Sequence, residues 1–325
     1  LDRSEETHLF KILRANPGDV VDLLDRRCRA LSVQRITARA ARIRTADGAV
    51  TGVETEAGAF IAADRVILAT GGASYPATGS TGDGYRMAQA LGHTIVPPRP
   101  SLIPMVAEGR DCTEMMGLSL RNTGLRVTDD RGKVVYTDFG ELLFTHFGVS
   151  GPIILSASAH LRDPKPGQYT LHLDLKPALD ADRLDQRLQR EIAQAPNKDF
   201  VNLLGALLPA RMIPVFARRT QIPPHTKAHA LTRELRHAVL AQFKDFAIVV
   251  HGFRPLAEAI VTAGGIRVSE IDPRTMASKR VRGLYACGEV LDVDAYTGGF
   301  NLQIAWSTGR AAGIAAAESC NNPVE

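Results

Sequence analysis

The segment Gly283–Gly309 constrains the fold of this chain more than any other. It reads GLYACGEVLDVDAYTGGFNLQIAWSTG, which is a short apolar run, a carboxylate, a pair of glycines and then a run of small residues. The apolar run Leu284–Cys287 is typical of a buried strand, and ligands of α/β sheets bind where such strands end. The segment therefore predicts that a strand end, an acid and a helix N-terminus meet at one ligand.

Two features of this segment point to the ligand's chemistry. Taken alone, Glu289 is explained equally well as a solvated acid and as an acceptor of hydrogen bonds from ribitol or ribose hydroxyls. Gly298 and Gly299 favour the ligand, because they allow close backbone approach at the start of the predicted helix Asn301–Ala317. The free N–H groups of a first helical turn stabilise an anion, such as the charge that a reduced flavin develops at its N1–C2 edge.

The predicted helix also carries a stripe of small residues. Ala305, Gly309 and Gly313 stand four apart, and a glycine inside a helix costs about 1 kcal/mol relative to alanine. Close packing of the helix against a sheet explains this stripe. In the preceding strand, Cys287 is more consistent with an inert core residue than with a redox thiol.

A second glycine-rich turn follows the apolar run Arg65–Thr70. The segment Ala69–Gly84 predicts a strand, a loop and then a helix over Gly84–Leu91 that is closed by Gly92 and capped by Asp83. Its glycines are suited to line the dinucleotide edge of a cofactor. The pattern is not a GxGxxG fingerprint, and a long surface loop also explains it.

Composition narrows the class of protein. The chain has 325 residues, 45% of them hydrophobic, with a net charge of +4 from arginines that are dispersed along it. We therefore expect a small-molecule substrate and no nucleic-acid partner. No apolar run reaches the length of about 18 residues that a membrane span needs, and the N-terminus lacks a signal-peptide core. Four scattered cysteines fit a reducing, cytoplasmic setting with no disulfide framework and no zinc site.

The first 98 residues predict small α/β elements. Asp19–Leu31 has the pattern of an amphipathic helix, and Ile36–Ala62 reads as an antiparallel meander with turns at Asp47-Gly48 and at Gly58. Prolines at 97, 98, 100 and 104 indicate a linker between domains.

The middle of the chain changes character twice. Ser101–Leu175 has β-rich segments, including the strictly alternating Tyr169–Leu175, and predicts an antiparallel barrel. Asp180–Gln242 has helical leucine patterns behind candidate caps at Asp180 and Thr232. We therefore predict three domains: an FAD-binding domain of residues 1–98 and 272–325, a barrel of residues 99–179 and 246–271, and a helical insert of residues 180–245.

Histidines offer one weak catalytic candidate. His146 lies in the turn LFTHFGVSGP and has the chemistry of an acid or base, although a structural role is the favoured explanation of a histidine there. His225 and His229 are four apart but have no third ligand, so no metal site is predicted.

Four blocks of the chain resemble one family. ILATGGASYPATGSTGDGYRMAQALGHTI, FGELLFTHFGVSGPIILS, RPLAEAIVTAGGI and Gly283–Gly309 occur in the order and spacing of the BaiN-type, aminoacetone-oxidase-like bacterial FAD-dependent oxidoreductases. The resemblance implies an α/β, Rossmann-like FAD domain interrupted by a β-barrel, which is itself interrupted by a helical insert. It also implies hydride transfer at flavin N5, with NAD(P)H as a transient donor. It assigns FAD contacts to Thr70, Gly71, Gly72, Thr81, Gly82, Asp83, Gly84, Gly288, Glu289, Gly298, Gly299, Asn301 and Leu302.

One part of the family pattern is absent. Members begin with a βαβ unit that carries GxGxxG, a ribose-binding acid and a Gly-Arg-Cys-Asn stretch, and the sequence before Asp19 shows none of these. We expect a flavoenzyme whose N-terminal unit is missing from this chain. Two alternatives stay open: a non-catalytic remnant that acts as a binding module, and a flavoprotein of the fumarate-reductase or ketosteroid-dehydrogenase type. Neither the substrate nor the oligomeric state follows from the sequence.

Overall fold

A computed structural model describes residues 25–162 and 164–321. The predicted helix Asp19–Leu31 falls only partly within this range, and residues 25–30 of it are helical. The predicted meander is confirmed as three antiparallel strands, β1 (Ala40–Ala46), β2 (Ala49–Thr55) and β3 (Phe60–Ala62). A tight turn joins the first two strands, with positive φ angles at both Asp47 and Gly48.

The Rossmann-like part of the fold is built on a parallel strand pair. Strand β4 (Val66–Leu68) pairs in parallel with β13 (Leu284–Ala286), although 215 residues separate the end of one from the start of the other. Helix α1 (Asp83–Ala90) and the long helix α8 (Phe300–Asn321) pack with this pair. Because parallel strands end at one edge, the turns after Leu68 and Ala286 lie side by side.

The proline-rich stretch is a strand and not a linker, which corrects the prediction. Strand β5 (Ile95–Ser101) pairs antiparallel with β12 (Val261–Ile266) in a two-stranded sheet. Proline has no N–H to donate to a ladder, so it is tolerated in a strand that needs partners on one side only. This sheet leads the chain from the parallel pair into the barrel.

The predicted antiparallel barrel is confirmed as a closed six-stranded one. Its strand order is β10, β11, β6, β9, β8 and β7. The alternation in Tyr169–Leu175 buries Leu171 and Leu173 inside the barrel as expected. Two short helices join it, α2 (Asp111–Glu114) and α3 (Pro152–Ser158). The strands are β6 (Met105–Ala107), β7 (Ser119–Asp129), β8 (Val134–Phe144), β9 (Gly148–Ser150), β10 (Tyr169–Asp174) and β11 (Phe246–Phe253).

Helices between β10 and β11 form the predicted helical segment. Asp180 caps the first of them by accepting a hydrogen bond from the Arg183 amide, and Thr232 accepts one from the Leu235 amide, so both predicted caps are confirmed. Phe216 and Phe243 join these helices to the barrel core, because they share one hydrophobic cluster with it. The division into three domains stays a prediction. The helices are α4 (Ala181–Gln194), α5 (Phe200–Leu204), α6 (Ile213–Thr220) and α7 (Arg233–Lys244).

The described residues contain neither a candidate membrane-spanning helix nor a candidate metal cluster. Across 25–162 and 164–321, no helix combines the length and apolar character that crossing a bilayer requires. In the same part of the chain, no three His, Cys, Asp or Glu side chains converge as a metal site would need.

Candidate functional site

Glu289 lies at the carboxyl edge of the parallel pair, in the turn that follows β13. Its Oε1 accepts a hydrogen bond from the Thr262 amide at 2.6 Å and from the Ser74 hydroxyl at 3.4 Å. The Thr262 hydroxyl oxygen accepts hydrogen bonds from the amides of Ala73 at 2.9 Å and Ser74 at 3.0 Å. One carboxylate oxygen thus joins three segments of the chain. Among the described residues, Oε2 of this half-buried acid has no hydrogen-bond partner.

The glycine-rich turn Ala69–Gly84 packs directly on this acid. A Cβ atom added at Gly72 would lie 2.7 Å from Glu289 Oε1 and 2.5 Å from the Thr262 hydroxyl oxygen, which is too close for any residue with a side chain. The Gly82 amide donates to the Gly72 carbonyl at 3.1 Å, so Thr81–Gly84 lies directly behind Thr70–Gly72. Thr70–Gly72 and Thr81–Gly84 are therefore adjacent, and Gly72 lies against Glu289. Gly72 thus packs against polar atoms of the protein itself, on Thr262 and Glu289.

Asp83 does not cap helix α1, which corrects the prediction. The N-cap residue is Gly82, and the Asp83 carboxylate binds the guanidinium groups of Arg39, at 3.0 and 3.2 Å, and Arg86. The hydrogen bond from Arg39 is the main reason that the pKa of Asp83 falls to about 2. This carboxylate is therefore ionised at neutral pH and already neutralised by cations of the same chain.

The glycine bend at Gly298–Gly299 opens onto free space. Gly298 and Gly299 have φ angles of +106° and +92°, and a Cβ atom added at Gly299 would meet no described residue within 4 Å. The Asn301 side chain closes the bend, since its amide group donates to the Ala295 carbonyl at 2.7 Å and accepts from the Ala295 amide at 2.9 Å. The sequence assigned Asn301 to the flavin ring, but its side-chain amide is engaged with the backbone of this loop.

A cavity of about 480 Å³ lies between this bend and the barrel side of the molecule. Its volume is within the range of roughly 300–1,000 Å³ that is usual for small-molecule sites. Six residues that the sequence assigned to FAD line it, and the remaining seven, in Thr70–Gly72 and Thr81–Gly84, do not. Its lining is Leu102, Leu155, Ile260, Val261, Gly288, Glu289, Val293, Tyr296, Thr297, Gly298, Gly299, Asn301, Leu302, Ile304 and Ala305.

Sequence reasoning missed two residues at the cavity. Tyr296 lines it, and the Tyr296 hydroxyl lies 2.6 Å from Nε2 of His160, which follows helix α3. Tyr296 stands two residues before Gly298, inside the segment on which the sequence argument was built, so its position was the available signal. His146, the one histidine that the sequence offered as a weak catalytic candidate, is exposed and packs edge-on to Phe147 at 4.9 Å outside this lining.

The small-residue stripe of α8 does not have the predicted explanation. A Cβ atom added at Gly309 would meet only the Cys287 sulfur, at 3.9 Å, and one at Gly313 would meet nothing within 4 Å of the described residues. Close helix–sheet packing therefore does not require glycine at either position in this part of the chain. Cys287 is buried, and burial raises the pKa of its thiol, which fits the inert role expected of it.

The residues of the cavity fit the isoalloxazine ring of a flavin. The apolar side chains of Leu102, Ile260 and Val261 line the cavity, and Gly299, which also lines it, leaves open space where a side chain would stand. The unpaired oxygen of Glu289 is free for a hydroxyl donor, and the first-turn amides of α8 supply donors that have no helical acceptor. Fold and site together define an α/β flavoprotein-type oxidoreductase fold with a barrel attached.

Comparison with known proteins identifies the family. Residues 3–315 match the family model described as HI0933-like protein Rossmann domain. The chain belongs to this family of FAD-binding oxidoreductases, and the resemblance drawn from its sequence blocks is confirmed.

Three curated bacterial relatives are similar over most of the chain. A 3-dehydro-bile acid delta(4,6)-reductase of Clostridium scindens is 31% identical over 79% of this chain and 63% of its own length. Ribosomal RNA dihydrouridine synthases of Escherichia coli and Haemophilus influenzae are 31% and 33% identical, each over 77% of this chain and 60% and 59% of their own lengths. The chain thus spans about three fifths of the relatives it matches. The last two names remove support from the expectation that nucleic acid is not a partner.

Proposed function

We propose that the protein carrying this chain is an FAD-dependent reductase that saturates a carbon–carbon double bond conjugated to a carbonyl group. The observation that carries the proposal is the cavity at which Gly288, Glu289 and the N-terminus of α8 meet the apolar side chains of the barrel side. Family membership favours this proposal over an enzyme of the fumarate-reductase type.

Each part of the cavity has a role in holding the cofactor. The free Oε2 of Glu289 would accept a hydrogen bond from a ribitol hydroxyl. The first-turn amides of α8, next to Gly299, would stabilise negative charge at the pyrimidine edge of the ring. FAD, when bound, supplies hydride chemistry at N5, and NAD(P)H is the proposed transient donor.

The names of the relatives suggest what the substrates have in common. One name describes reduction of double bonds in a 3-dehydro bile acid, and the other describes saturation of uridine. In both substrates, the double bond is conjugated to a carbonyl group, which withdraws electrons and makes the distal carbon a hydride acceptor. We infer the same substrate chemistry for this chain. A free small molecule with this feature, as in the first of these names, is the first candidate substrate.

A uridine in RNA is the second candidate substrate. Two of the three relatives are named for ribosomal RNA, and the chain carries a net charge of +4. A positive net charge favours association with a polyanion at low ionic strength.

A single-turnover experiment tests the proposal. The FAD-loaded protein is reduced with NAD(P)H without oxygen and mixed with a steroid that carries a conjugated dienone, or with transcribed ribosomal RNA. The flavin absorbance should return to that of the oxidised form, and mass spectrometry should show product that has gained two hydrogens. Samples that receive no reductant, quenched with ethanol in the same way before mass spectrometry, are the control.

The two substrate candidates give different results. Reoxidation by the dienone alone supports the small-molecule substrate, and saturation of uridine supports the RNA substrate. A protein that takes up no FAD would support the binding-module alternative, and the reductase proposal would then be wrong.

A further inference from the structure

Tyr296 and His160 form a polar pair at the edge of the cavity. The Tyr296 hydroxyl oxygen and His160 Nε2 are 2.6 Å apart, and the ring centroids are 5.7 Å apart with an interplanar angle of 32°. The residues are 136 positions apart in sequence and come from different parts of the fold, since His160 follows α3 and Tyr296 precedes α8. Apart from Asn301 and Glu289, the lining residues offer side chains that are mostly apolar.

Neighbouring groups restrain both residues of the pair, although Tyr296 is 46% exposed. The backbone of the preceding residue, Ala295, is fixed by two hydrogen bonds to the Asn301 side chain. The His160 ring stacks on Tyr136 with centroids 4.6 Å apart at 27°, and the Tyr136 hydroxyl donates to Asp138 at 2.8 Å.

The two ring nitrogens of His160 give the pair a choice of hydrogen-bond direction. When Nε2 carries the proton, it donates to the Tyr296 oxygen, and the hydroxyl hydrogen of Tyr296 is then free for a third group. When Nδ1 carries the proton, the hydroxyl instead donates to Nε2. When His160 donates to the Tyr296 oxygen, the Tyr296 hydroxyl becomes a more polarised donor toward a third group.

We propose that Tyr296 is a catalytic residue that donates a hydrogen bond to the substrate's carbonyl oxygen, and that His160 is the residue that positions it. The inference rests on the proposed function, because it needs a substrate with a conjugated carbonyl. Negative charge moves onto that oxygen as the distal carbon gains a hydride, and a preorganised donor stabilises it there.

The electrons and protons of this step balance. The distal carbon gains a hydride, with two electrons, from the reduced flavin, and the double bond shifts to give an enolate. Tyr296 stabilises the enolate oxygen through its hydrogen bond and keeps its own proton. The carbon next to the carbonyl then takes a proton from water, which regenerates the ketone.

The test reads the hydrogen bond directly, without turnover. Cyclohexenone labelled with carbon-13 at its carbonyl is bound to the oxidised, FAD-loaded protein, and its carbonyl resonance is recorded. The resonance should move downfield in the wild type and lie nearer its free position in Tyr296→Phe. His160→Gln should retain the shift, because its amide can donate as Nε2–H does, and His160→Ala should lose part of it.

Kinetics supply the second readout. Removal of one preorganised donor costs about 100-fold or more in kcat, so Tyr296→Phe should lower kcat by about that factor and change KM much less. Tyr169→Phe is the control, because Tyr169 lies on the barrel strand β10, outside the cavity lining, and its hydroxyl makes no hydrogen bond among the described residues. Thermal unfolding and FAD content verify that each variant folds.

The outcomes separate the two proposals. If the wild type binds and reduces the enone while Tyr296→Phe gives the same carbonyl resonance and the same kcat, the role of Tyr296 is overturned and the proposed function stands. If the wild type with FAD binds and reduces no conjugated ketone or uridine, the proposed function fails, and the role of Tyr296 fails with it.

Discussion

Gly72→Ala should destabilise the protein through contacts that the structure defines. The new Cβ atom would lie 2.5 Å from the Thr262 hydroxyl oxygen and 2.7 Å from Glu289 Oε1. Neither oxygen can move freely, because the first accepts two backbone amides at 2.9 and 3.0 Å and the second accepts the Thr262 amide at 2.6 Å. The substitution must therefore either break hydrogen bonds or shift the backbone of the loop.

The size of the destabilisation follows from the overpacking and from the weakened hydrogen bonds. Overpacking costs about 1–3 kcal/mol, and each weakened hydrogen bond adds about 1 kcal/mol. We expect the free energy of unfolding to fall by about 2–4 kcal/mol, which lowers Tm by about 3–6 °C for a chain of this size. Differential scanning calorimetry measures the shift, and urea unfolding gives the free energy independently.

Gly313→Ala is the matched control with the opposite expected sign. Its Cβ atom would meet nothing within 4 Å among the described residues, and Gly313 lies inside helix α8. Alanine should therefore raise the free energy of unfolding by up to about 1 kcal/mol. Equal Tm values for Gly72→Ala and the wild type would refute the packing of the glycine-rich turn Ala69–Gly84 against Glu289.

Three further predictions follow from other contacts. Glu270→Gln should cost about 1–2 kcal/mol at pH 7, because the buried carboxylate accepts a hydrogen bond from the half-exposed Arg280 at 2.7 Å and lies 3.0 Å from His93. Arg280 holds the pKa of Glu270 below its ordinary 4.5, so this stability is present above about pH 4.5 and is lost as the pH falls; Tm curves of variant and wild type should converge in acid, and parallel curves would contradict this. Asp180→Ala should cost about 1 kcal/mol by removing the cap of α4, as chemical denaturation would show, whereas Asp180→Ser should restore most of it. Asn301→Ala should speed hydrogen exchange at the Ala295 amide about fivefold or more, and an unchanged rate would mean that this clamp does not hold the loop.

Elements with strong local signals could be predicted from the sequence. The meander follows from its turns, the caps Asp180 and Thr232 follow from residue type, and the barrel follows from period-two alternation such as that of Tyr169–Leu175. These signals depend on neighbours in sequence or on one face of a strand. One sequence is therefore enough to predict these elements.

The errors have a common physical cause. Prolines 97, 98 and 100 read as a linker, but pairing with β12, about 160 residues away, makes them a strand. Asp83 reads as a cap, but Arg39, 44 residues earlier, takes its carboxylate. Long-range pairing decided both cases, and local pattern does not encode it.

The site was predicted in part for the same reason. The residues that line the cavity, Gly288–Glu289 and Gly298–Leu302, are close in sequence and were found through their shared segment. The hydrogen-bond partner of Tyr296 is His160, which precedes it by 136 positions in sequence. No local sequence signal distinguishes His160 from His146. Which of the two histidines lies beside the cavity residue Tyr296 is fixed only by the tertiary fold.

The central claim is that the cavity beside α8 holds a flavin ring, and FAD titration tests it most directly. The sequence contains one tryptophan, Trp306, which directly follows the cavity residue Ala305. FAD should quench its fluorescence to a saturating limit, because flavin absorbs where tryptophan emits. Thr297→Phe, which fills part of the cavity, should weaken binding at least tenfold, whereas Thr137→Phe on the exposed barrel surface should not. Equal FAD affinity for the wild type and both variants would contradict the account.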